Sequence, residues 1–389
     1  MSETHAVVSA RGAKRWADGH PWIFRSDVVQ SPVGQACVVD VRDPRGRAIG
    51  TALWSSASEI ALRLLDSALD TKIDAVWWHE RLARAIARRT AVAPVATAYR
   101  LVHGEGDGLP SLIVDRYDRW LVVQLLSAGL ETFRAEIVSA LVKLTGCAGI
   151  IARNDASVRV REGLSRNVEV LYGEVPDEVT VEENGVKYVA ALRTGQKTGA
   201  FLDQRENRAL VASVARGRAL DLFSYHGSFA LHLARGASAV TSVDSSGPAL
   251  ARGQQNAALN LATNIEFVEA DAFEFIRAEV QAGRRYETIV VDPPAFAKNR
   301  ASLAGATRGY RDLNLHAMRL LAPGGLLFTA SCSYHLTKPL FLDMLRDAGA
   351  ASGRRLILRG LTAQPLDHPE LVTVPETGYL KGALLEALD

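Results

Sequence analysis

The feature that most constrains this fold is a regular alternation of apolar strand patterns and helical patterns in the second half of the chain. Five short apolar runs alternate with four segments that have helical spacing. Such alternation predicts a parallel sheet covered by helices on both faces, which is a doubly wound α/β domain. The predicted strands are Ala219–Phe223, Ala239–Val243, Ile265–Glu269, Thr288–Val291 and Gly325–Ala330, and the predicted helices are Ser228–Leu233, Gly247–Asn260, Ala272–Gln281 and Tyr310–Leu321.

Three of these strands carry carboxylates at or near their carboxyl ends, where doubly wound folds bind ligands. Asp221 lies in the first predicted strand, and Gly227 then opens the following helix. Asp244 ends the second strand and either accepts hydrogen bonds from ribose hydroxyls or caps the helix before Pro248. Asp271 ends the third strand and either accepts a hydrogen bond from an adenine amino group or caps its own helix.

The loop after the first strand narrows the class of ligand. A glycine at position 227 lets the backbone approach a ligand closely. The pattern G-x-G-x-x-G, which binds the pyrophosphate of a dinucleotide, does not occur in this loop. The loop therefore disfavours a dinucleotide, and a tight packing turn without a ligand stays open as an alternative.

The fourth and fifth strands end in segments that suggest chemistry on a planar base. The fourth continues into Asp-Pro-Pro-Ala-Phe over residues 292–296. The prolines stiffen this loop and remove N–H donors, so that oxygen atoms face the base and Phe296 offers a stacking surface. The fifth strand ends at Cys332, which is either a nucleophile facing the cleft or a small buried residue. His335 follows, but the other strand ends do not fit a Cys–His hydrolase.

The first half of the chain predicts two smaller modules. Apolar runs broken by Gly and Pro predict a β-rich module up to about residue 70. From about residue 73 to 178 the patterns indicate a compact α+β unit. Its first helix carries Arg81, Arg84 and Arg88 on one face, which either contacts phosphates or is a solvated surface. The three apolar runs of the β-rich module are Ala36–Val41, Ala48–Leu53 and Ile60–Leu65.

Composition excludes several classes of protein. The 389 residues are 48% hydrophobic and 23% charged, which is typical of globular domains. No apolar run approaches the roughly 18 residues of a membrane span, and the N-terminus lacks the apolar segment of a secretory signal. Three widely spaced cysteines without C-x-x-C favour a reduced, cytoplasmic protein without a metal site. The first hundred residues hold 14 Lys and Arg against 10 Asp and Glu, a slight basic excess.

The strand-end segments together resemble those of class I S-adenosylmethionine-dependent methyltransferases. With QKTGAFLDQRENR (196–208), the segments DLFSYHGSFALHLA, DPPAF and SCS are similar to the bacterial 23S rRNA large-subunit methyltransferase I family, which makes 5-methylcytosine. HPWIFRSDV (20–28) resembles the start of that family's RNA-binding PUA domain. HGEGDGLPSLIVDRY (103–117) resembles the start of its central domain. The resemblance thus extends over nearly the whole chain.

This resemblance implies a fold and a division into three domains. It implies a C-terminal doubly wound, Rossmann-like methyltransferase sheet preceded by an N-terminal β-barrel and a small α+β domain. The expected boundaries are 1–72 for the PUA domain, 73–178 for the central domain and 179–389 for the methyltransferase domain.

The resemblance also implies roles for individual residues. Cys332 matches the catalytic cysteine, and Asp292 matches a position that contacts both cofactor and base. Asp244 matches the ribose carboxylate and Asp271 the residue on the adenine side. His226 stands where the family often has threonine, which puts the contact with the cofactor carboxylate in doubt. The residues implied to bind S-adenosylmethionine are Lys197, Phe201, Asp203, Gln204, Arg205, Asp221, Phe223, Ser224, Tyr225, Gly227, Asp244, Ser245, Asp271, Ala272, Asp292 and Pro293.

We therefore expect an enzyme that methylates C5 of a cytosine in 23S rRNA or a large-subunit precursor. C5 is a poor nucleophile, and addition of the Cys332 thiolate at C6 would supply the electron density it needs. Asp292 would help N3 to take a proton. Two alternatives stay open: a methyltransferase of exocyclic amines in RNA or DNA, and a non-catalytic RNA-binding assembly factor. A homodimer is expected only because soluble proteins commonly form one.

Overall fold

The computed structural model describes residues 5–69, 71–297 and 299–389, and the chain forms two compact units. The first unit takes in the chain up to residue 181, with residues 190–202 and 366–377. The second takes in residues 182–189, 203–365 and 378–389. The three-domain division expected from the sequence stays a prediction. In the described part of the chain, no helix has both the length and the apolar character that a membrane crossing requires.

A six-stranded sheet begins the first unit. The three strands predicted from apolar runs are all present in it, and their inward-facing residues Val39, Val41 and Leu62 are buried. Its elements are β1 (His5–Val8), α1 (Ala10–Ala17), β2 (Trp22–Phe24), β3 (Val28–Gln30), β4 (Ala36–Arg42), β5 (Ala48–Ser55) and β6 (Ile60–Asp66). The sheet order is β2-β6-β5-β4-β1-β3, in which only β1 and β4 are parallel neighbours.

A five-stranded sheet with helices follows in the same unit. Its order is β11-β10-β9-β8-β7, and the helices α2 and α4 pack together over a core that contains Trp78, Leu82 and Leu141. The elements are α2 (Ala75–Ala87), β7 (Ala98–His103), β8 (Leu112–Tyr117), β9 (Trp120–Leu125), α3 (Ala128–Glu131), α4 (Arg134–Thr145), β10 (Gly149–Asn154), α5 (Val158–Arg161) and β11 (Asn167–Gly173).

The basic face predicted on α2 is fully ion-paired. Arg81 contacts Asp66 at 2.5 Å, and Arg88 contacts Asp107 at 2.9 Å. Arg84 lies 3.8 Å from Glu80, one turn away on the same helix. The solvated-surface interpretation therefore fits this face better than a phosphate site, because each guanidinium already has a carboxylate neighbour.

The second unit contains the doubly wound sheet that the sequence predicts. Two paired strands precede it, β12 (Glu178–Glu183) and β13 (Val186–Ala191). Its own elements are α6 (Arg205–Val214), β14 (Arg218–Leu222), α7 (Ser228–Leu233), β15 (Ala239–Asp244), α8 (Gly247–Leu259), β16 (Ile265–Glu269), α9 (Ala272–Gln281), β17 (Tyr286–Val291), α10 (Leu303–Leu320), β18 (Leu321–Ser331), α11 (Lys338–Ser352), β19 (Leu356–Thr362) and β20 (Lys381–Ala387).

The seven strands of this sheet run in the order β16-β15-β14-β17-β18-β20-β19. The five predicted strands are parallel, whereas β20 lies antiparallel between β18 and β19. Helices on the sheet bury an apolar core that includes Leu222, Ile289 and Leu327. The observed fold thus confirms the predicted α/β class and adds two strands at one edge.

One predicted helix boundary is wrong. The sequence predicts a helix from Tyr310, but α10 begins seven residues earlier, at Leu303. Gly305 and Gly309 lie in the missed part, and glycine is a poor helix former that interrupts the apolar pattern. The ring of Phe296 lies beside Gly309, where an added Cβ would come within 3.6 Å of it.

Candidate active site

The strand order brings three strand ends together at the centre of the sheet. β14 pairs with β15 on one side and with β17 on the other. Leu222 of β14 is level with Val243 of β15 and with Val291 of β17. The residues that follow these strands therefore share one edge, at the point where the strand order reverses. Open α/β sheets bind their ligands in this crevice.

The loop after β14 has an unusual backbone. Phe223, Tyr225 and Gly227 have positive φ angles of 62°, 51° and 78°. Such a conformation costs a residue other than glycine about 1–3 kcal/mol, so the surroundings must hold it in place. The N–H of Tyr225 donates to Asp244 Oδ2 at 2.8 Å. At Gly227 an added Cβ would lie 3.2 Å from the ring of Phe267. The loop is therefore fixed in a strained form, as ligand-binding loops often are.

Three carboxylates converge near this loop. Asp221 is fully buried, and its Oδ2 accepts the N–H of Ala230 at 2.9 Å. Burial, together with the charges of Asp292 and Asp244, raises the pKa of Asp221 well above its usual range. Within the described part of the chain, Asp221 Oδ1 and Ser224 Oγ are buried without a hydrogen-bond partner. A ligand that brings a positive charge and N–H donors would fit this site, because it would satisfy both atoms and stabilise the carboxylate.

Asp244 does not cap the helix that follows it. The cap of α8 is Ser246, whose side chain accepts the N–H of Ala249. Asp244 instead accepts N–H groups from Tyr225 and Ser246, one on each oxygen. The helix-cap interpretation of Asp244 is therefore wrong. The neighbouring Ser245 is exposed at the same strand end.

Asp271 caps the helix that follows it, which is one of the two roles predicted for it from the sequence. Its Oδ1 accepts the N–H groups of Phe273 and Glu274 at 2.9 and 3.0 Å. The side chain is exposed, and the next residue, Ala272, is buried. Capping occupies one carboxylate oxygen only, so a second hydrogen bond to a ligand stays a prediction for Asp271.

Asp292 is held by the segment that precedes α6. Gln204 Nε2 donates to Asp292 Oδ1 at 2.8 Å, and Asn207 Nδ2 donates to Gln204 Oε1 at 2.6 Å. This chain of hydrogen bonds fixes the amide orientation of Gln204 and aims its N–H at the carboxylate. Pro293 is buried beside it. Asn207 was not singled out in the sequence, although it lies three residues after Gln204.

The flanking residues of this segment are also anchored. Asp203 accepts a hydrogen bond from the Tyr379 hydroxyl at 2.8 Å. Arg205 is buried, and its guanidinium contacts Glu206 at 2.9 Å. Tyr379 is 176 residues away in the chain, so no local sequence signal could have identified this contact.

Lys197 and Phe201 belong to the first unit, whereas the other predicted site residues belong to the second. The Lys197 ammonium lies 4.6 Å from the centre of the Phe201 ring, which is a cation–π contact. Between them, the Thr198 hydroxyl donates to Asp115 at 2.6 Å and contacts the Tyr117 hydroxyl at 3.0 Å.

Cys332 follows β18 directly and is half-buried. Its neighbour Ser333 connects this segment to the Asp-Pro-Pro loop: Ser333 Oγ accepts the N–H of Ala297 at 3.1 Å. Tyr310 reinforces the connection, because its hydroxyl contacts Ser333 Oγ at 2.9 Å and donates to the Pro294 carbonyl at 3.4 Å. The structure therefore ties the predicted nucleophile and the predicted base-binding loop to each other.

His226 is a core residue. Its ring stacks on Tyr188, with centroids 5.6 Å apart, and its carbonyl accepts a hydrogen bond from Asn256. Burial and the nearby Arg208 lower the pKa of His226 to about 4. The ring is therefore neutral at physiological pH and packs within the unit, which the sequence did not reveal.

A cavity of about 830 Å³ lies against the Asp-Pro-Pro loop. Phe273 and Phe296 line it, with ring centroids 6.0 Å apart, together with Pro294 and the first turns of α10. Arg308 lies at its margin and is exposed. The cavity combines aromatic faces with a cation, which suits a planar, negatively charged group.

Comparisons with known proteins agree with this architecture. A family model described as S-adenosylmethionine-dependent methyltransferase matches residues 99–370, and one for a PUA-like domain matches residues 7–67. The chain is 41% identical to ribosomal RNA large subunit methyltransferase I of Tolumonas auensis, over 95% of this chain and 96% of that protein. It is 39% identical to the protein of the same name from Salmonella typhi, over 97% and 96%.

Solved structures show the same fold. A candidate SAM-dependent methyltransferase from Streptococcus mutans superimposes with a TM-score of 0.83 at 23% identity, over 98% of this chain and 100% of that one. SMU.776, a candidate methyltransferase in complex with SAH, gives a TM-score of 0.85 at 24% identity and the same coverage. The chain belongs to the ribosomal RNA large subunit methyltransferase I family, whose enzymes are S-adenosylmethionine-dependent methyltransferases with a PUA-like domain.

Proposed function

We propose that this protein methylates C5 of a cytosine in 23S rRNA through a covalent bond between Cys332 and C6 of the base. The observation that carries the proposal is the connection of Cys332 to the Asp-Pro-Pro loop through Ser333 and Ala297. A thiol and a carboxylate at adjacent strand ends are what this reaction needs. The relatives named ribosomal RNA large subunit methyltransferase I support an rRNA substrate.

The cofactor would be held at the edge formed by β14, β15 and β16. The buried carboxylate of Asp221 and the hydroxyl of Ser224 would face its ammonium end. Asp244 would accept the ribose hydroxyls, and Asp271 with Ala272 would face the adenine. S-adenosylmethionine supplies, when bound, a methyl group made electrophilic by a sulfonium. The other cofactor contacts that we propose are Lys197, Phe201, Asp203, Gln204, Arg205, Phe223, Tyr225, Gly227, Ser245, Asp292 and Pro293.

Cys332 would act first on the base. Its thiol loses a proton to solvent, and the thiolate electron pair forms a bond to C6. The electrons of the C5–C6 double bond then make C5 nucleophilic. Transfer of the methyl group to C5 would leave S-adenosylhomocysteine. C5 would then lose its proton to solvent, and the C6–S bond would break with the thiolate as leaving group, which would restore the aromatic ring. Cysteine suits this role because a thiolate is both a good nucleophile and an adequate leaving group.

Asp292 would help the base to take a proton at N3. Negative charge builds toward N3 when sulfur adds to C6, and Asp292 would hydrogen-bond the edge of the cytosine while N3 takes a proton. Gln204, which donates to Asp292 Oδ1, would keep the other oxygen directed at the base. The rigid Pro293–Pro294 segment would hold this geometry while the reaction proceeds.

The substrate must present an unstacked cytosine. A base in folded rRNA is reached by flipping it out of its stack or by binding it in a loop. The PUA-like domain, with the slightly basic first hundred residues, would contact the phosphate backbone. Either mature 23S rRNA or a large-subunit precursor would serve, and we expect the enzyme to act in the cytoplasm.

The direct test is to incubate the protein with labelled S-adenosylmethionine and a 23S rRNA transcript. The RNA is digested to nucleosides, and the labelled nucleoside is identified by mass spectrometry. We expect 5-methylcytidine from the wild type and a loss of at least about a thousandfold in rate from Cys332→Ala. Cys147→Ala, which removes a buried cysteine outside the site, is the control and is expected to keep its activity.

Two other outcomes would reject the proposal. Label on an exocyclic amine, with full activity in Cys332→Ala, would show an amine methyltransferase that needs no cysteine. No label on transcript or on ribosomal subunits, together with no S-adenosylmethionine binding by calorimetry, would show a non-catalytic assembly factor. Ribosomal subunits are included so that a wrong form of the substrate is not mistaken for an inactive enzyme.

A further inference from the structure

Lys381 is a buried lysine beside the segment that contains Cys332, the predicted nucleophile. It begins β20, opposite Ser331 of β18, and only 4% of its surface is exposed. Its Nζ donates to the carbonyl of Ser333 at 2.7 Å. Lys381 is thus paired through its backbone with Ser331 and hydrogen-bonded through its side chain to Ser333, the residues on either side of Cys332. Lys381 therefore places a cation near the predicted nucleophile, although the apolar patterns did not predict its strand, β20.

The surroundings of Lys381 leave its charge unneutralised. Among residues 5–69, 71–297 and 299–389, no carboxylate is one of the charged groups that act on Lys381. The titratable groups that face it are Cys332, Lys338 of α11 and, across Ser333, the hydroxyl of Tyr310. Burial lowers the pKa of Lys381 to about 8, so it is still mostly protonated near pH 7. Burial also raises the pKa of Tyr310, which keeps that hydroxyl neutral.

We propose that Lys381 is a positioning residue that holds Cys332 as a thiolate in the resting enzyme. A buried ammonium without a carboxylate partner is costly unless a nearby group becomes an anion, and the Cys332 thiol is the group available to do so. The ammonium keeps its proton throughout, and the thiol proton leaves to solvent. The inference rests on the proposed function, because only a nucleophilic cysteine needs this activation.

The test measures Cys332 itself and needs neither rRNA nor a methyl donor. The full-length protein is alkylated with iodoacetamide between pH 5 and pH 10, and peptide mass spectrometry gives the rate at Cys332 separately from Cys37 and Cys147. The pH midpoint of this rate reports when the thiolate forms. We expect a wild-type midpoint below the value of about 8.5 that is usual for cysteine.

Variants then assign the effect to the lysine. Lys381→Met removes the charge and is expected to raise the midpoint by about 1–3 pH units, with at least about tenfold slower alkylation at pH 7. Lys381→Arg keeps the charge and is expected to restore the low midpoint. Lys338→Met is the matched control, since Lys338 also faces Lys381 but is exposed; it is expected to shift the midpoint by less than about 0.5 units.

A wild-type midpoint at or above that of ordinary cysteine would overturn the inference, as would an unchanged midpoint in Lys381→Met. If Lys381→Met does not fold, the wild-type profile and Lys381→Arg still decide the question. Failure here is distinct from failure of the proposed function, which depends on the methylated nucleoside. Normal formation of 5-methylcytidine with no effect of Lys381 on alkylation would reject this inference alone.

Discussion

Two buried carboxylates of the first unit and Asp221 of the second unit have opposite surroundings. In the first unit, Asp107 forms two hydrogen bonds with the Arg89 guanidinium, at 2.7 and 2.6 Å, and Asp115 forms two with Arg100, at 2.7 and 2.9 Å. In the second unit, Asp221 is equally buried but accepts one backbone N–H, and the charges of Asp292 and Asp244, which raise its pKa, act on it more strongly than that of Arg208, which lowers it. The first arrangement is complete without a ligand. The second leaves Asp221 Oδ1 buried without a hydrogen-bond partner, and a ligand that supplies a cation would complete it.

We propose that this difference separates residues that stabilise the fold from residues that bind a ligand. The sequence alone does not separate them, since EGDGLP around Asp107 and ALDLF around Asp221 are both distinctive segments. Burial does not separate them either. The number of hydrogen-bond donors and cations around each carboxylate does separate them, and substitutions in the two units test this contrast.

Replacing Asp107 should destabilise the first unit strongly. Asp107→Asn leaves the buried Arg89 charge uncompensated, and breaking such a pair costs about 3–5 kcal/mol. All six tryptophans lie between residues 16 and 120, in the first unit, so urea unfolding followed by tryptophan fluorescence reports on this unit. Glu80→Gln, in an exposed pair, is the control. A loss below about 1 kcal/mol in Asp107→Asn would contradict the contrast.

His226 should make the second unit sensitive to acid. Its pKa is about 4 in the folded state and about 6.5 when exposed, so the unfolded state binds more protons in this range. The stability it contributes is complete above pH 6.5 and is lost as the pH falls toward 4, by about 3 kcal/mol in all.

The variant His226→Gln isolates this effect. Urea unfolding of the variant, followed by circular dichroism, should depend less on pH between 6.5 and 4 than unfolding of the wild type does. His335→Gln, in the same unit, should keep the wild-type pH dependence. Equal pH dependence in His226→Gln and in the wild type would show that the buried imidazole is not the acid-sensitive group.

Replacing Asp221 should weaken ligand binding without the cost seen for Asp107. Asp221→Asn keeps the shape but removes the charge, and a hydrogen bond to a charged group is worth about 2 kcal/mol, or roughly 30-fold in affinity for S-adenosylmethionine. Calorimetry measures this loss. Unfolding of the ligand-free protein should not become easier, because an uncompensated buried charge has been removed. Destabilisation as large as that of Asp107→Asn would make Asp221 a structural residue.

Replacing Arg84 should have the smallest effect. Its contact with Glu80 is exposed and 3.8 Å long, and such pairs contribute at most about 0.5 kcal/mol. Arg84→Ala should therefore unfold in urea as the wild type does, by tryptophan fluorescence. An effect above about 1 kcal/mol would mean that the ion-paired face of α2 contributes more than a solvated surface does.

The strands of the doubly wound sheet could be predicted where their buried residues form a continuous apolar run in the sequence. β14 to β18 are apolar runs between turn signals, and their positions follow from the sequence. β20 could not be recognised, because KGALLEA contains good helix formers and becomes a strand only by pairing with β18 and β19. β19 is mostly exposed and lacks a continuous apolar face.

The candidate site also has features that the sequence predicts and features that it does not. The carboxylates at the strand ends follow from the order of strands and helices, and so does Cys332. The contacts that set their chemistry are long-range: Gln204 to Asp292 spans 88 residues, and Lys381 to Ser333 spans 48. The neutral state of His226 depends on burial against Tyr188, which no local pattern reports.

The most direct test of the covalent mechanism uses an rRNA transcript that contains 5-fluorocytidine. Fluorine at C5 cannot leave as a proton, so the bond between Cys332 and C6 would persist after methylation. We predict a protein–RNA complex that survives denaturation in the wild type, maps to the peptide containing Cys332 and is absent in Cys332→Ala. A wild-type enzyme that methylates unmodified rRNA yet forms no such complex would contradict the account.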